Sequence, residues 1–357
     1  MSKIHNFSAG PCILPPQVIE GAADAVTELN GIGLSLIEIS HRSKDFVAVM
    51  DEARQLVREL LNLPDRYEVL FLQGGASLGF LTTAYNFLSP DGKAAYVNTG
   101  TWAKSAVKEA NFVGKAEVVA SSETEGNKLI PEIPHVGSDY DYLHITSNNT
   151  IYGTQYKSFP KPDCNLICDM SSDIFSKEIN VEDFALIYAG AQKNMGPAGT
   201  VLYIVDTEKL GKSNRPIPSY LDLQIHIKKE SMFNTPPVFP VYASMLMLRW
   251  LKDLGGVKEI ATLNRQKADL MYSEIDRNSL FVGHAEAAHR SDMNATFMLK
   301  DENLGAEFDE MWKAAGISGI KGHRSIGGYR ASMYNALPIA SVQALVDVMK
   351  ELESKKS

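Results

Sequence analysis

Ala189-Gly190-Ala191-Gln192-Lys193-Asn194-Met195-Gly196-Pro197-Ala198-Gly199 sets one lysine among small, flexible residues, directly after the apolar run Phe184-Ala185-Leu186-Ile187-Tyr188. The run reads as a buried strand and the glycine-rich stretch as the loop that leaves it. An amine attacks carbonyl compounds only when it can lose its proton, and a lysine at a strand end beside polar groups can be tuned to do so. Lys193 is therefore a candidate Schiff-base residue, with an exposed surface lysine as the plain alternative. Upstream, the apolar run Asn165-Leu166-Ile167-Cys168 stops at Asp169, followed by Met170-Ser171-Ser172. In an open α/β sheet ligands bind outside the carboxyl ends of the strands, so Asp169 and Lys193 can face one crevice. That pairing suits pyridoxal 5'-phosphate: the lysine takes the aldehyde, and the carboxylate keeps the pyridine nitrogen protonated so that the ring accepts electrons. Taken alone, Asp169 is weak evidence, since aspartate after a strand is usually a turn or helix-cap residue.

A phosphate needs a cradle. Glu68-Val69-Leu70-Phe71-Leu72-Gln73-Gly74-Gly75-Ala76-Ser77 runs a strand into a glycine turn, and the apolar residues Leu78, Phe80, Leu81, Ala84, Tyr85 and Leu88 recur after it at helical spacing. The free N–H groups and dipole of that helix start can hold an anion. A Gly-Gly turn is also ordinary chain geometry, and neither a G-x-x-x-x-G-K-[ST] nor a G-x-G-x-x-G pattern is present. Trp102 follows Ala94-Ala95-Tyr96-Val97 at another strand-to-helix junction, where an indole can stack on a flat ring or simply fill the core. Asn149 and Thr150 follow His144-Ile145-Thr146 in the same way.

Taken in order, these residues resemble a fold type I pyridoxal-phosphate enzyme, and within it the phosphoserine aminotransferase family of class V. The similarity runs nearly end to end. It covers Asn6-Phe7-Ser8-Ala9-Gly10-Pro11, Ser40-His41-Arg42-Ser43-Lys44, the turn from Gly74 to Ser77, Trp102, Ala191-Gln192-Lys193-Asn194, and Gly322-His323-Arg324-Ser325-Ile326-Gly327-Gly328-Tyr329-Arg330-Ala331-Ser332. The resemblance implies that Ala76, Ser77, Gln192 and the pair Asn234-Thr235 bind the cofactor phosphate, that Trp102 stacks on its ring, and that Thr150 bonds its phenolic oxygen. Asp169 and Lys193 keep the roles argued above. In that family the asparagine-threonine pair comes from the neighbouring subunit, which implies a homodimer with composite active sites. Some members carry an arginine in the glycine turn where this chain has Ala76-Ser77.

Charge adds an argument of its own. The formal net charge is −8, which repels anionic metabolites unless cations are gathered locally. Between Glu310 and Asp347 no acidic residue occurs, while Lys313, Lys321, His323, Arg324 and Arg330 do; Ser40-His41-Arg42-Ser43-Lys44 is a second basic knot. Arginine's planar fork accepts a carboxylate or a phosphoryl group in the same place. The resemblance gives Arg330 to the substrate α-carboxylate and His41, Arg42, His323 and Arg324 to the distal anion, the first two from the partner subunit. Each of these cations could alternatively serve as a surface or ion-pairing residue. The implied reaction is reversible, ping-pong amino transfer between L-glutamate and 3-phosphohydroxypyruvate, giving O-phospho-L-serine and 2-oxoglutarate in serine biosynthesis. Use of 4-phosphohydroxy-L-threonine in pyridoxal phosphate biosynthesis stays open.

The 357 residues suffice for two domains, and 45% hydrophobic with 22% charged residues is ordinary for a soluble globular protein. No segment reaches the roughly 18 apolar residues of a membrane span, and Met1-Ser2-Lys3-Ile4-His5-Asn6 carries no apolar signal core, so a cytoplasmic location is expected. Cys12, Cys164 and Cys168 are odd in number and expected to be reduced, the histidines form no zinc-type spacing with them, so no metal is expected, and the acidic balance argues against nucleic acid. The expected fold is α/β, a fold type I transferase whose large domain (residues 17–256) holds a mainly parallel seven-stranded sheet between helices. Residues 1–16 and 257–357 form a smaller α/β domain. Gly199 to Val205 is expected to return antiparallel. Three rival readings share parts of the pattern: another fold type I enzyme, such as another small-substrate aminotransferase or a cysteine desulfurase, the latter needing a reactive loop cysteine; a nucleotide-binding α/β protein; and a catalytically silent binding protein.

Overall fold

A computed structural model describes residues 4–356. The chain begins with β1 (His5–Asn6), α1 (Pro16–Thr27) and α2 (Lys44–Leu61). α2 starts where Ser43 Oγ accepts the Phe46 N–H and stops at Asn62, one of the few residue types that tolerates the left-handed φ of 51° found there. Strands and helices then alternate: β2 (Tyr67–Leu72), α3 (Gly75–Phe87), β3 (Lys93–Asn98), α4 (Thr101–Ala110), β4 (Lys115–Ser121), β5 (Tyr142–Thr146), the short pair β6 (Asn148–Asn149) and β7 (Thr154–Gln155), β8 (Asn165–Asp169), β9 (Leu186–Gly190), the single turn α5 (Ala191–Asn194) and β10 (Val201–Asp206). Helices α6 (Leu223–Lys228), α7 (Val238–Asp253) and α8 (Gly256–Arg277) follow. The chain closes with β11 (Phe281–Gly283), β12 (Asn294–Leu299), α9 (Gly305–Ala314), β13 (Ile317–Ser318), β14 (Tyr329–Ser332) and α10 (Ile339–Lys356).

Seven strands form the main sheet in the order β2-β10-β9-β8-β5-β3-β4. β10 runs antiparallel to both its neighbours and every other pairing is parallel, so six strands point the same way and β10 returns, as its proximity to the lysine loop implies. Both faces are covered, which is why the strands read as continuous apolar runs. The side-chain period of two still sorts them. Along β10, Leu202 and Ile204 join the core under α2 and α7, while Val201, Tyr203 and Val205 join the core under α3 and α4. A slip of one residue would exchange the two sets, and each large apolar side chain contributes about 1.5–3 kcal/mol on burial, so the register is firmly set.

A third cluster, including Phe7, Met271, Phe297, Phe308, Trp312, Leu345 and Met349, lies around the three-stranded sheet β11-β12-β14 and helices α8, α9 and α10. β1 pairs in parallel with β13, which ties the start of the chain to this unit. Pro240 does not interrupt α7. Val238, Phe239 and Pro240 form the first turn of α7, where an N–H has no intrahelical acceptor and proline therefore costs little.

Candidate active site

Because β2, β3, β5, β8 and β9 run in one direction, the segments leaving them meet at one edge of the sheet. Asp169 closes β8 directly beside β9, with Asp169 in register with Tyr188, and Lys193 follows β9 by one turn of helix. Lys193 Nζ donates to Thr150 Oγ1 at 2.7 Å and stands 5.2 Å from the centre of the Trp102 ring, which is 37% exposed and so offers a free face. Burial pushes this amine down to about 8, the Arg330 charge pushes the same way, and Asp169 and Asp173 pull against them. Part of the population is therefore neutral near physiological pH, as a nucleophile requires.

Asp169 is buried. Its Oδ1 accepts the N–H and the hydroxyl of Ser171 at 2.9 and 2.6 Å, and Ser171 Oγ in turn accepts the Gly190 N–H at 3.0 Å. Ser171 thus couples the acid to the strand that presents the lysine. Burial raises the Asp169 carboxyl above the usual carboxylate range, and the Lys193 charge and the Ser171 bonds hold it back.

Arg330 lies on β14, fixed by its N–H to Ile320 O at 2.7 Å, and its Nη1 reaches Thr150 O at 3.4 Å. No carboxylate among the described residues pairs with it, and its buried Nε has no partner. A desolvated guanidinium without an acid is costly, so the site is built to receive an anion at this point. Burial lowers its proton affinity accordingly.

At the end of β2, Gly74 (φ 97°) and Gly75 (φ 61°) turn the chain into α3, with Ala76 and Ser77 in its first turn. These φ values exclude most side chains, and nothing lies within 4 Å of where a Cβ on Gly75 would be. The opening N–H groups of α3 have no intrahelical acceptor and are the kind of group that binds a phosphate. Gly100 performs a comparable task before α4: at φ 145° it packs against the Tyr152 ring, which would lie 2.6 Å from a Cβ at this position, and so seats the helix carrying Trp102. Gln192 O accepts the Cys12 N–H at 2.9 Å, so the N-terminal segment flanks the lysine loop.

The remaining residues divide. Asn234 Nδ2 donates to Gln73 Oε1 at 3.2 Å and Gln73 Nε2 to Thr235 O at 3.3 Å, which places the pair beside the glycine turn of the same chain without a bond to Ala76 or Ser77. His323 Nδ1 meets Ser325 Oγ at 2.7 Å in the glycine-rich turn before β14, and burial with the charges of Arg330 and Arg324 lowers its pKa. Arg324 is exposed. Lys321 is committed elsewhere, in an ion pair with Asp309. His41 and Arg42 sit just before α2, and no hydrogen bond or ion pair joins their side chains to any other described site residue.

Three buried residues beside these groups escape a reading of strand ends: Ser171, Asn194 and Asp173. Asp173 is buried with its carboxylate bonded to Ser147 Oγ and, at 3.0 Å, Gln155 Nε2. The spacing Asp169-x-Ser171 is a turn-capping signal that could have revealed the first. Nothing local marks the other two.

The donor set fits pyridoxal phosphate: an amine with lowered proton affinity, a buried acid, a free indole face and a helix start with open amides. The family model for Aminotransferase class-V matches residues 4–345. Curated relatives include the phosphoserine aminotransferase of Flavobacterium psychrophilum, 62% identical over 354 residues with 99% of each chain covered, and that of Porphyromonas gingivalis, 52% identical over 360 residues with 99% of each covered. Among solved structures, phosphoserine aminotransferase from Bacillus circulans subsp. alkalophilus superposes with a TM-score of 0.96 at 41% identity, covering 100% of both chains. A PLP-bound phosphoserine aminotransferase from Trichomonas vaginalis gives 0.91 at 35% identity, covering 98% of this chain and 100% of that one.

Proposed function

The chain belongs to the class-V aminotransferases, and on that footing we propose the part each residue plays in reversible amino transfer between L-glutamate and 3-phosphohydroxypyruvate, giving O-phospho-L-serine and 2-oxoglutarate. The enzyme is a pyridoxal-phosphate-dependent transaminase of serine biosynthesis. One arrangement supports the residue roles above all: Lys193 Nζ, 2.7 Å from Thr150 Oγ1, feels both the buried Asp169 and Arg330, which pairs with no carboxylate among the described residues.

When bound, pyridoxal phosphate supplies an aldehyde for the amine and a ring that stabilises negative charge at the substrate α-carbon. The first-turn amides of α3 at Ala76 and Ser77, with Gln192, Asn234 and Thr235, would hold its phosphate. Trp102 would pack on the ring, Thr150 would bond the phenolic oxygen, and Asp169, steadied by Ser171, would keep a proton on the ring nitrogen. Arg330 receives the substrate α-carboxylate through its fork. Lys193 Nζ, left neutral by its surroundings, would take the proton from the substrate α-carbon as general base. His323 and Arg324 take the distal carboxylate or phosphoryl group, which lets one pocket serve both half-reactions.

A second copy of the chain completes this arrangement. Ile32, Leu34, Ile37, Tyr220 and Phe233 are large and exposed on segments next to His41-Arg42 and Asn234-Thr235, and an apolar surface of that kind suits a homodimer in which these residues serve the partner's pocket. Among the described residues no helix is long and apolar enough to cross a membrane.

The test is substrate choice. With 2-oxoglutarate as acceptor, kcat/KM for O-phospho-L-serine should exceed that for L-serine by at least 100-fold. Equal use of serine, or preference for aspartate or alanine, would overturn the substrate reading.

A further inference from the structure

A buried carboxamide sits next to the reactive lysine. Asn194 is 2% exposed. Its Nδ2 donates to Ile174 O at 2.6 Å, and its Oδ1 accepts the backbone N–H of Asn335 at 2.9 Å. Ile174 belongs to the turn that leaves Asp169, closed by the Ile174 N–H to Met170 O at 2.8 Å. Asn335 follows β14, the strand of Arg330. One side chain therefore bridges the three segments that carry the amine, the acid and the guanidinium.

The anchor points are themselves fixed. Asn335 Nδ2 donates to Phe175 O at 3.0 Å. Phe175 is held at φ 59°, a conformation costly for an aromatic residue and kept only where its surroundings over-determine it. Lys267, buried on α8, donates to Met333 O and Tyr334 O at 3.0 and 2.7 Å. A carboxamide that only satisfied local polar groups would need no partners on separate functional segments.

We propose that Asn194 is a positioning residue for amino transfer, its carboxamide locking Lys193 to the segments bearing Asp169 and Arg330 so that the three groups keep one spacing through turnover. The inference rests on the function proposed above. Small displacements suffice: a misplacement of about 1 Å can cost on the order of 100-fold in rate.

The experiment compares Asn194→Ala with Asn264→Ala in the holoenzyme and in cofactor-free protein. Asn264 bonds Asn335 and Ser176 O but does not touch Asn194. Asn194→Ala should lower kcat at least tenfold while KM for glutamate stays within threefold. In the cofactor-free protein, the pH dependence of Lys193 acetylation, read by peptide mass, should shift at least one pH unit upward as the amine leaves its desolvated position. Asn264→Ala should lower the thermal midpoint comparably, with kcat within twofold and the acetylation profile unmoved. Asn194→Ser keeps one polar atom and serves if the alanine variant does not fold, with kcat at least fivefold down. An Asn194 variant with wild-type kcat and an unshifted profile, or an Asn264 variant that loses rate in step with stability, overturns the proposal. Wild-type protein that neither turns over phosphoserine nor takes a borohydride label at Lys193 overturns the underlying function and this inference together.

Discussion

Replacing Arg330 with methionine separates a binding role from a structural one, because the two predict opposite balances of activity and stability. The guanidinium has a single long bond, Nη1 to Thr150 O at 3.4 Å, a buried Nε without a partner, and no acid among the described residues. A hydrogen bond to a charged group contributes about 1.5–3 kcal/mol, so a fork gripping a carboxylate with two supplies about 3–6 kcal/mol. At about 1.4 kcal/mol per factor of ten, Arg330→Met should lower kcat/KM for glutamate by roughly 10²- to 10⁴-fold. The stability ledger runs the other way. The lost bond to Thr150 is long and sits at the weak end of the range, near 0.5 kcal/mol, while removal of an unpaired, largely desolvated charge relieves a penalty of at least that size. The thermal midpoint of the cofactor-free protein should therefore hold within about 3 °C of wild type or rise. Stopped-flow absorbance of the glutamate half-reaction and a thermal scan of the same preparation read both quantities. A variant that melts well below wild type yet reacts with glutamate at an undiminished rate would refute the reasoning, since Arg330 would then be a structural cation.

Asp169→Asn should leave the protein able to bind pyridoxal phosphate but slow the glutamate half-reaction at least 100-fold, because an amide cannot keep the ring nitrogen protonated; an unchanged single-turnover rate contradicts that role. Gly100→Ala places a Cβ 2.6 Å from the Tyr152 ring at a φ that L-residues rarely adopt, and should weaken cofactor affinity about tenfold by tilting the start of α4, as followed by quenching of Trp102 fluorescence, whereas wild-type affinity would show that the junction yields freely. Burial pushes the Lys267 amine down to about 7. The folded protein thus binds fewer protons than the unfolded chain between about pH 7 and 10.5, and this group's contribution to stability rises with pH through that window and is lost as pH falls. Relative to Lys267→Met, the wild-type urea midpoint should climb between pH 6.5 and 8.5, and parallel curves would contradict the burial argument.

Much of the site is legible in sequence because it hangs on strand ends. Asp169, Lys193, Trp102 and Thr150 each follow a short apolar run, and parallel β3, β5, β8 and β9 deliver them to one edge without further instruction. The start of α7 is hidden by prolines that usually mark loops but are harmless in a first helical turn. Asn194, Asn264 and Asn335 lie up to 141 residues apart, and their junction is a product of packing that no local period announces. The basic stretch misleads in part, as Lys321 is occupied by Asp309.

Reduction of the holoenzyme with borohydride, followed by proteolysis and mass mapping, tests the central claim most directly. The visible band should vanish and a pyridoxyl adduct should appear on the peptide carrying Lys193, stoichiometric with enzyme. An adduct on another lysine, above all Lys267 with its own depressed proton affinity, or no adduct at all, would contradict the site described here.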